Sequence, residues 1–252
     1  MARELGWLRQ FQKPHSDSLP PLIVFPHAGS GASAYRVFGK HLAEFFDVVV
    51  VQYPGRQDRA REAAAETLPE LAAGAFAAFR DSAHHRDLPI TVFGHSMGSI
   101  VAFEFVRLAE AAGLDIRLLA TSAATAPALI ADLPGHPTDD EGLLDHMGAL
   151  NGTGSEVLAS RDVLRMALPV MKADYRAFDA YSCPADVRIA APVRVFGGDE
   201  DPFVAPRDLY SWSQHTGEPV EVTLFEGGHF YLNEHIEGIA ELLVPAPSSA
   251  LR

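Results

Sequence analysis

VFGHSMGSIVAFEF (residues 92–105) begins as an apolar run, pinches to Gly94-His95-Ser96-Met97-Gly98, and resumes with apolar residues at helical spacing. If the run before the pinch is a buried strand and 97–110 is a helix, Ser96 stands on the turn between them. A strained backbone there pushes its hydroxyl outward, as in the G-x-S-x-G strand–turn–helix of serine nucleophiles. Gly94 and Gly98 lack the Cβ atoms that would collide where strand and helix meet so tightly.

Working outward, short β-rich runs recur at 22–25, 47–53, 90–94, 117–124, 193–198 and 220–228, with helical patterns between them. The runs are apolar on both faces, which fits a mostly parallel sheet flanked by helices on both sides, an α/β fold. Helices are expected at 69–82, opened by Pro69, at 97–112, closed by Gly113, and at 231–244, before Pro245. The alternation stops between 127 and 184, where amphipathic pieces at 139–150 and 161–181 predict helices lying over the sheet. The expected organisation is a core of 1–126 and 185–252 with an inserted helical lid at 127–184.

The 252 residues, 48% of them hydrophobic, can fill a sizeable core. No apolar stretch reaches 18 residues, and the opening MARELGWLRQFQKPHS has no apolar segment of signal-peptide type. The single cysteine, Cys183, offers no internal disulfide, so a cytoplasmic protein with no membrane partner is expected. A net charge of −13 opposes a nucleic-acid partner, whose phosphates call for Lys and Arg. Arg56, Arg59 and Arg61 form a local basic cluster, read first as a solvated loop and second as a place where a small anionic group could dock. No metal-ligand spacing such as H-E-x-x-H occurs, and no metal or resident cofactor is expected.

A serine hydroxyl needs a base, and the base an orienting acid. In G-x-S-x-G hydrolases the acid and then the histidine follow the serine along the chain. GGDEDPF follows the run at 193–198, and EGGHFYLNEH follows the run at 220–226. Both lie beyond strand carboxyl ends, where open α/β sheets build sites. His229 between glycines and Phe230 is the candidate base. Asp201, held before Pro202, is the first candidate acid, with Asp199 the alternative. FPHAGSGASAY at 25–35 offers the N–H of Ala28 to join that of Met97 in an oxyanion hole. The same stretch matches the G-x-G-x-x-A of a dinucleotide loop, but the next strand ends in Gln52 and Tyr53 rather than in an acid for a ribose. His27, His95 and Met97 line the predicted site, and filling space around the turn accounts for them as well as any role does.

With these residues in view, the chain resembles the type II thioesterases that accompany polyketide synthases and nonribosomal peptide synthetases, within the α/β-hydrolase superfamily. The likeness runs nearly end to end, through WLRQF, FPHAGSGASAY, VQYPGRQDR, FGHSMGS, MGALNGT, ALPVMKADYRAFDAYSC, GGDEDP and EGGHFYLN. PHAGSG departs from the commoner PHAGG. The resemblance implies a stand-alone serine thioesterase that removes acyl groups from the phosphopantetheine arm of acyl or peptidyl carrier proteins, clearing stalled or misprimed units. The lid would then form an acyl chamber, with Leu143, Met147 and Met171 as candidate substrate contacts and Leu150, Leu164, Met166 and Leu168 as further ones; the alternative is that these residues form the core of the lid itself. Two other readings are an esterase or acyl-CoA hydrolase acting on small molecules, and a non-catalytic carrier-binding protein.

Overall fold

The computed structural model describes residues 6–151 and 161–244, with backbone alone for 151 and 161–166. Its strands are β1 (Leu8–Arg9), β2 (Pro21–Phe25), β3 (Asp47–Val51), β4 (Ile90–His95), β5 (Ile116–Ser122), β6 (Val193–Gly198) and β7 (Glu221–Phe225). Its helices are α1 (Arg36–Leu42), α2 (Leu68–Arg80), α3 (Met97–Ala111), α4 (Asp140–Asn151), α5 (Arg161–Asp179), α6 (Pro206–Leu209) and α7 (Ile236–Leu243).

The seven strands form one sheet in the order β1-β3-β2-β4-β5-β6-β7. All neighbours are parallel except β1, which runs antiparallel to β3. Strand order reverses at β2, whose neighbours are β3 and β4, so the crevice beyond the carboxyl ends of β2 and β4 is where such a sheet takes ligands.

Alternation along the strands feeds two cores. Ile23, Phe25, Val49 and Val51 point to the layer of α2 and α3, while Leu22, Val24, Val48 and Val50 point to the layer of α1 and α7. A strand covered on both faces has no polar side, and for that reason these strands read as unbroken apolar runs.

Helix α3 is buried along most of its length, including Ile100, Val101, Phe103 and Phe105. At its end Leu114 N–H donates to Ala109 O and Gly113 N–H to Glu110 O, with Gly113 at φ +78°. This pairing satisfies two carbonyls that the last turn leaves open, and the positive φ selects glycine. Helix α2 starts with a capping box, in which Thr67 and Glu70 each bond the other's backbone N–H.

Two features differ from the sequence expectation. Strand β1 was not foreseen: two residues carry no periodicity, and the pairing of Leu8 with Val51 and Arg9 with Val50 arises from the sheet edge they meet. The helix expected over 231–244 is divided into a 3-10 turn at Tyr231–Asn233 and α7. Tyr231 bonds Ser122 at the end of β5, which fixes the turn to the sheet, and His235 at φ −119° resets the chain before α7.

Between β5 and β6 the described residues hold a 3-10 turn at Pro127–Asp132, then α4 and α5, and no strand. Leu143, Leu144, Met147, Leu168, Met171 and Tyr175 join the larger core. No described helix is long and apolar enough to cross a membrane.

The closest backbone approach in this frame lies under α3. A Cβ on Gly98 would stand 2.1 Å from Phe25 O and 2.6 Å from Pro26 O, and neither is a side chain that can rotate away. Gly113 has open space around it and only its positive φ to satisfy. Gly98→Ala is therefore expected to lose about 3 kcal/mol, as overpacking against fixed atoms does, and Gly113→Ala about 1 kcal/mol from the left-handed backbone. Urea unfolding of the two variants checks this, and equal losses would contradict the steric account.

Candidate active site

Ser96 follows β4 and precedes α3 at φ +54° and ψ −127°, a region that residues with a Cβ rarely occupy, at a cost of about 1–3 kcal/mol. The surroundings hold it there. Ser96 N–H donates to Ser122 O at 2.7 Å, and Ser99 N–H donates to Ser96 O at 2.8 Å. The fully buried Ser99 Oγ sits 2.8 Å from Gly94 O and accepts Ser122 N–H at 3.1 Å, tying turn and β5 together. A Cβ on Gly94 would lie 2.3 Å from Gly98 O. The two glycines of the motif thus permit a strand and a helix to touch backbone to backbone, leaving the serine at the apex.

His229 lies after β7, and its Nδ1 is 2.7 Å from Asp201 Oδ2 after β6, with side chains 4% and 1% exposed. The other carboxylate oxygen of Asp201 accepts Phe203 N–H at 2.9 Å and Val204 N–H at 3.2 Å. Asp199 is turned elsewhere and accepts Gly227 N–H at 2.9 Å. The two loops pack closely: a Cβ on Gly198 would lie 2.3 Å from the carbonyls of Gly227 and Gly228, and Gly227 has φ +121°. Of the two acids left open by the sequence, Asp201 is the one bonded to His229.

Two cavities meet at this point. The smaller, about 150 Å³, is lined by His27, Ala28, Gly29, Met147, Met171 and Phe230 among others. The larger, about 490 Å³, is lined by Met97, Leu129, His136, His146, Phe178 and Phe203 among others. Ser96, His229, Leu150 and Tyr175 line both. Met97 begins α3, where a helix leaves its first N–H groups without intrahelical acceptors. The wall therefore carries Ala28 on one side of the serine and Met97 on the other.

Of the chamber contacts expected from the sequence, Met147, Leu150 and Met171 line a cavity. Leu143 and Leu168 line neither: Leu143 is fully buried and Leu168 nearly so, as part of the core under α4 and α5. The side chains of Leu164 and Met166 lie outside the described residues.

Three imidazoles crowd the turn. His95 is 5.2 Å from His229 and 5.7 Å from His27 between ring centres, with Phe230 touching all three. His27 pairs with Tyr35 Oη at 2.8 Å; burial, with the charges of His229 and Arg56 adding, lowers its pKa to about 3. His95 pairs with Ser122 Oγ at 2.8 Å, which in turn meets Tyr231 Oη at 2.6 Å, and burial holds it well below the usual histidine range. Both stay neutral near pH 7, whereas His229 is the member with a carboxylate partner.

The basic cluster behaves differently from the sequence expectation. Arg56 is buried and paired with Asp174, and Arg59 is buried between Glu62, Gln52 O and the Trp7 ring; Arg61 is exposed. Sequence reasoning also missed Tyr175 on α5 and Phe230 beside His229, which line the smaller cavity together with Ser96. No periodic signal separates such residues from ordinary core aromatics. Among the described residues no group of three His, Cys, Asp or Glu side chains is arranged to hold a metal ion.

Known proteins resemble the chain over most of its length. The chain is 42% identical over 238 residues to phenyloxazoline synthase MbtB of Mycobacterium tuberculosis, covering 94% of this chain but 16% of that protein. It is 36% identical to a probable cadicidin biosynthesis thioesterase of Streptomyces griseus, covering 92% of this chain and 63% of the other. Among solved structures, the type II thioesterase BorB from the borrelidin biosynthetic cluster superposes with a TM-score of 0.82 at 38% identity, over 94% of this chain and 95% of that one. A model of the Thioesterase domain family matches residues 20–245, and the chain belongs to that family.

Proposed function

We propose that the protein is a serine thioesterase that hydrolyses acyl groups from the phosphopantetheine arm of acyl or peptidyl carrier domains of a polyketide or nonribosomal peptide synthase. The observation that carries this reading is Ser96 held at a strained apex that shares both cavities with His229, which is itself bonded to Asp201. The likeness to BorB, a type II thioesterase from the borrelidin biosynthetic cluster, and to the cadicidin biosynthesis relative supports a thioesterase serving a biosynthetic pathway of this kind.

In this mechanism the Ser96 hydroxyl attacks the thioester carbonyl carbon while His229 Nε2 takes its proton. Asp201 accepts the Nδ1–H bond, fixing the tautomer and stabilising the imidazolium without taking the proton. The developing oxyanion is met by the N–H groups of Ala28 and Met97. Collapse expels the phosphopantetheine thiolate, which receives the proton from His229. Water then attacks the acyl-enzyme with His229 as base and releases the acid. The chamber beneath α4 and α5 receives the acyl group, with the stretch at 127–184 acting as its lid.

Incubating wild type and Ser96→Ala with acyl-carrier proteins of several chain lengths, followed by intact-protein mass spectrometry, tests the assignment. Loss of acyl mass with wild type alone is expected. Cleavage of acyl-CoA or a simple ester with every carrier untouched would favour a small-molecule hydrolase, and no phosphonate labelling of Ser96 a binding protein.

The two acids separate by kinetics. Asp201→Asn should lower kcat by about 10⁴, as loss of the correct imidazole tautomer does. Asp199→Asn should leave kcat within about tenfold, because Asp199 touches only the Gly227 N–H, a loop contact. Equal losses in the two variants would contradict the assignment of the acid.

A further inference from the structure

Arg56 and Asp174 form an ion pair that no step above uses. Arg56 Nη1 and Nη2 donate to the two oxygens of Asp174, each at 2.7 Å, and both side chains are 4% exposed. Removing two charges from water is costly, and apolar residues of similar volume commonly hold such a position equally well. A reason for ionic residues here lies in what else they bond. Asp174 Oδ2 also accepts the Gly29 N–H at 2.7 Å. Arg56 Nη1 also donates to Ser30 O at 3.1 Å, and its Nε donates to Pro54 O at 3.2 Å.

The loop after β2 is thereby held along its length. Tyr53 Oη donates to Pro26 O at 3.2 Å, and the fully buried Gln52 accepts Ala32 N–H at 2.8 Å while donating to Arg56 O at 3.2 Å. Gly29 sits at φ +74°, with Met171 of α5 so near that a Cβ would lie 2.4 Å from its Cε. The peptide fixed by Asp174 is the one that follows Ala28, so it anchors Ala28 from its carboxyl side and restricts the directions open to the Ala28 N–H in the preceding peptide.

We propose that Arg56 and Asp174 are positioning residues that aim the Ala28 N–H at the oxyanion, with Asp174 supplied by α5, so that the loop is set only when this helix is seated. The proposal rests on the catalytic reading of Ser96 and Ala28 given above. It places the pair outside the reacting atoms: the pair touches the loop, and the loop touches the transition state.

The test uses the full chain with three variants: Asp174→Asn, which can keep an oxygen toward Gly29; Asp174→Leu; and Arg56→Met combined with Asp174→Leu, which deletes both charges at similar volume. For each, kcat and KM on an acyl-carrier protein, the rate of Ser96 labelling by a fluorophosphonate, and the exchange rate of the Gly29 amide are measured. The double variant should melt cooperatively yet lose about 10- to 100-fold in kcat, short of the full loss from deleting an oxyanion donor. Labelling should slow in parallel, Gly29 exchange should accelerate, and KM should stay within about threefold, since uniform binding is untouched. Asp174→Asn should retain more kcat than Asp174→Leu. If the double variant does not fold, Asp174→Asn decides on the same readouts.

Undiminished kcat and labelling in a folded variant would overturn the proposal, as would a loss confined to KM. A wild type that labels but leaves carrier thioesters intact would sink the substrate assignment alone, and the labelling ratio would still judge the pair. A wild type that does neither would remove the catalytic reading and this proposal together.

Discussion

The structure depends on one close contact: β4 and α3 meet at a turn so tight that neither Gly94 nor Gly98 has room for a methyl group. A Cβ at Gly94 would enter the Gly98 carbonyl, and one at Gly98 the Phe25 carbonyl at the end of β2. The second collision matters most, because it places the end of β2 directly beneath the start of α3. The loop carrying Ala28 and the helix start carrying Met97 are thus neighbours through backbone contact rather than through side chains that could repack. The strain at Ser96 is the local cost of this arrangement, and the hydrogen bonds that the Ser96 N–H donates to Ser122 O and the Ser122 N–H donates to Ser99 Oγ offset it.

Sheet topology does the rest. The order β3-β2-β4 puts the reversal beside Ser96, and parallel pairing brings the loops after β6 and β7 to the same edge. His229 and Asp201 come from those loops, 28 residues apart in sequence and joined at 2.7 Å. Their approach uses the same device as the serine: Gly198 lies against the carbonyls of Gly227 and Gly228 with no space for a side chain. Backbone packing at glycine thus sets the positions of both Ser96 and His229.

The features legible in the sequence are those that local physics enforces. Strands buried on both faces read as apolar runs, a turn without room for Cβ reads as paired glycines, and the order of serine, acid and base follows chain direction through the sheet. Asp201 was separable from Asp199 only in part, since Pro202 restricts the backbone of one acid but does not reveal that the other turns toward Gly227. β1 was hidden because two residues have no period. Arg56 and Arg59 looked like a solvated basic loop because charge density is visible in a sequence while the partners that bury it are not. The partner of Arg56, Asp174, lies 118 residues further on, in a helix of the stretch that interrupts the α/β alternation. Nothing near either residue signals the other.

Electrostatics around the serine follows from that concealed burial. His27 and His95 are close enough to His229 to repel a proton on it, yet burial keeps both neutral, and their ring nitrogens are turned to Tyr35 and Ser122. His95 Nε2 is buried with no hydrogen-bond partner among the described residues, an arrangement that disfavours any charge on that ring. A proton arriving at the cluster therefore meets two imidazoles that burial holds neutral and one with a carboxylate 2.7 Å away. His95 and Phe230 pack against the His229 ring, and Asp201 pairs with its Nδ1. Neutral aromatic bulk beside His229 keeps the local dielectric low, which strengthens the interaction between His229 and Asp201. The same low dielectric makes the peptide dipoles of the loop after β2 count for more, so the orientation of a single peptide there carries weight that it would lack in water.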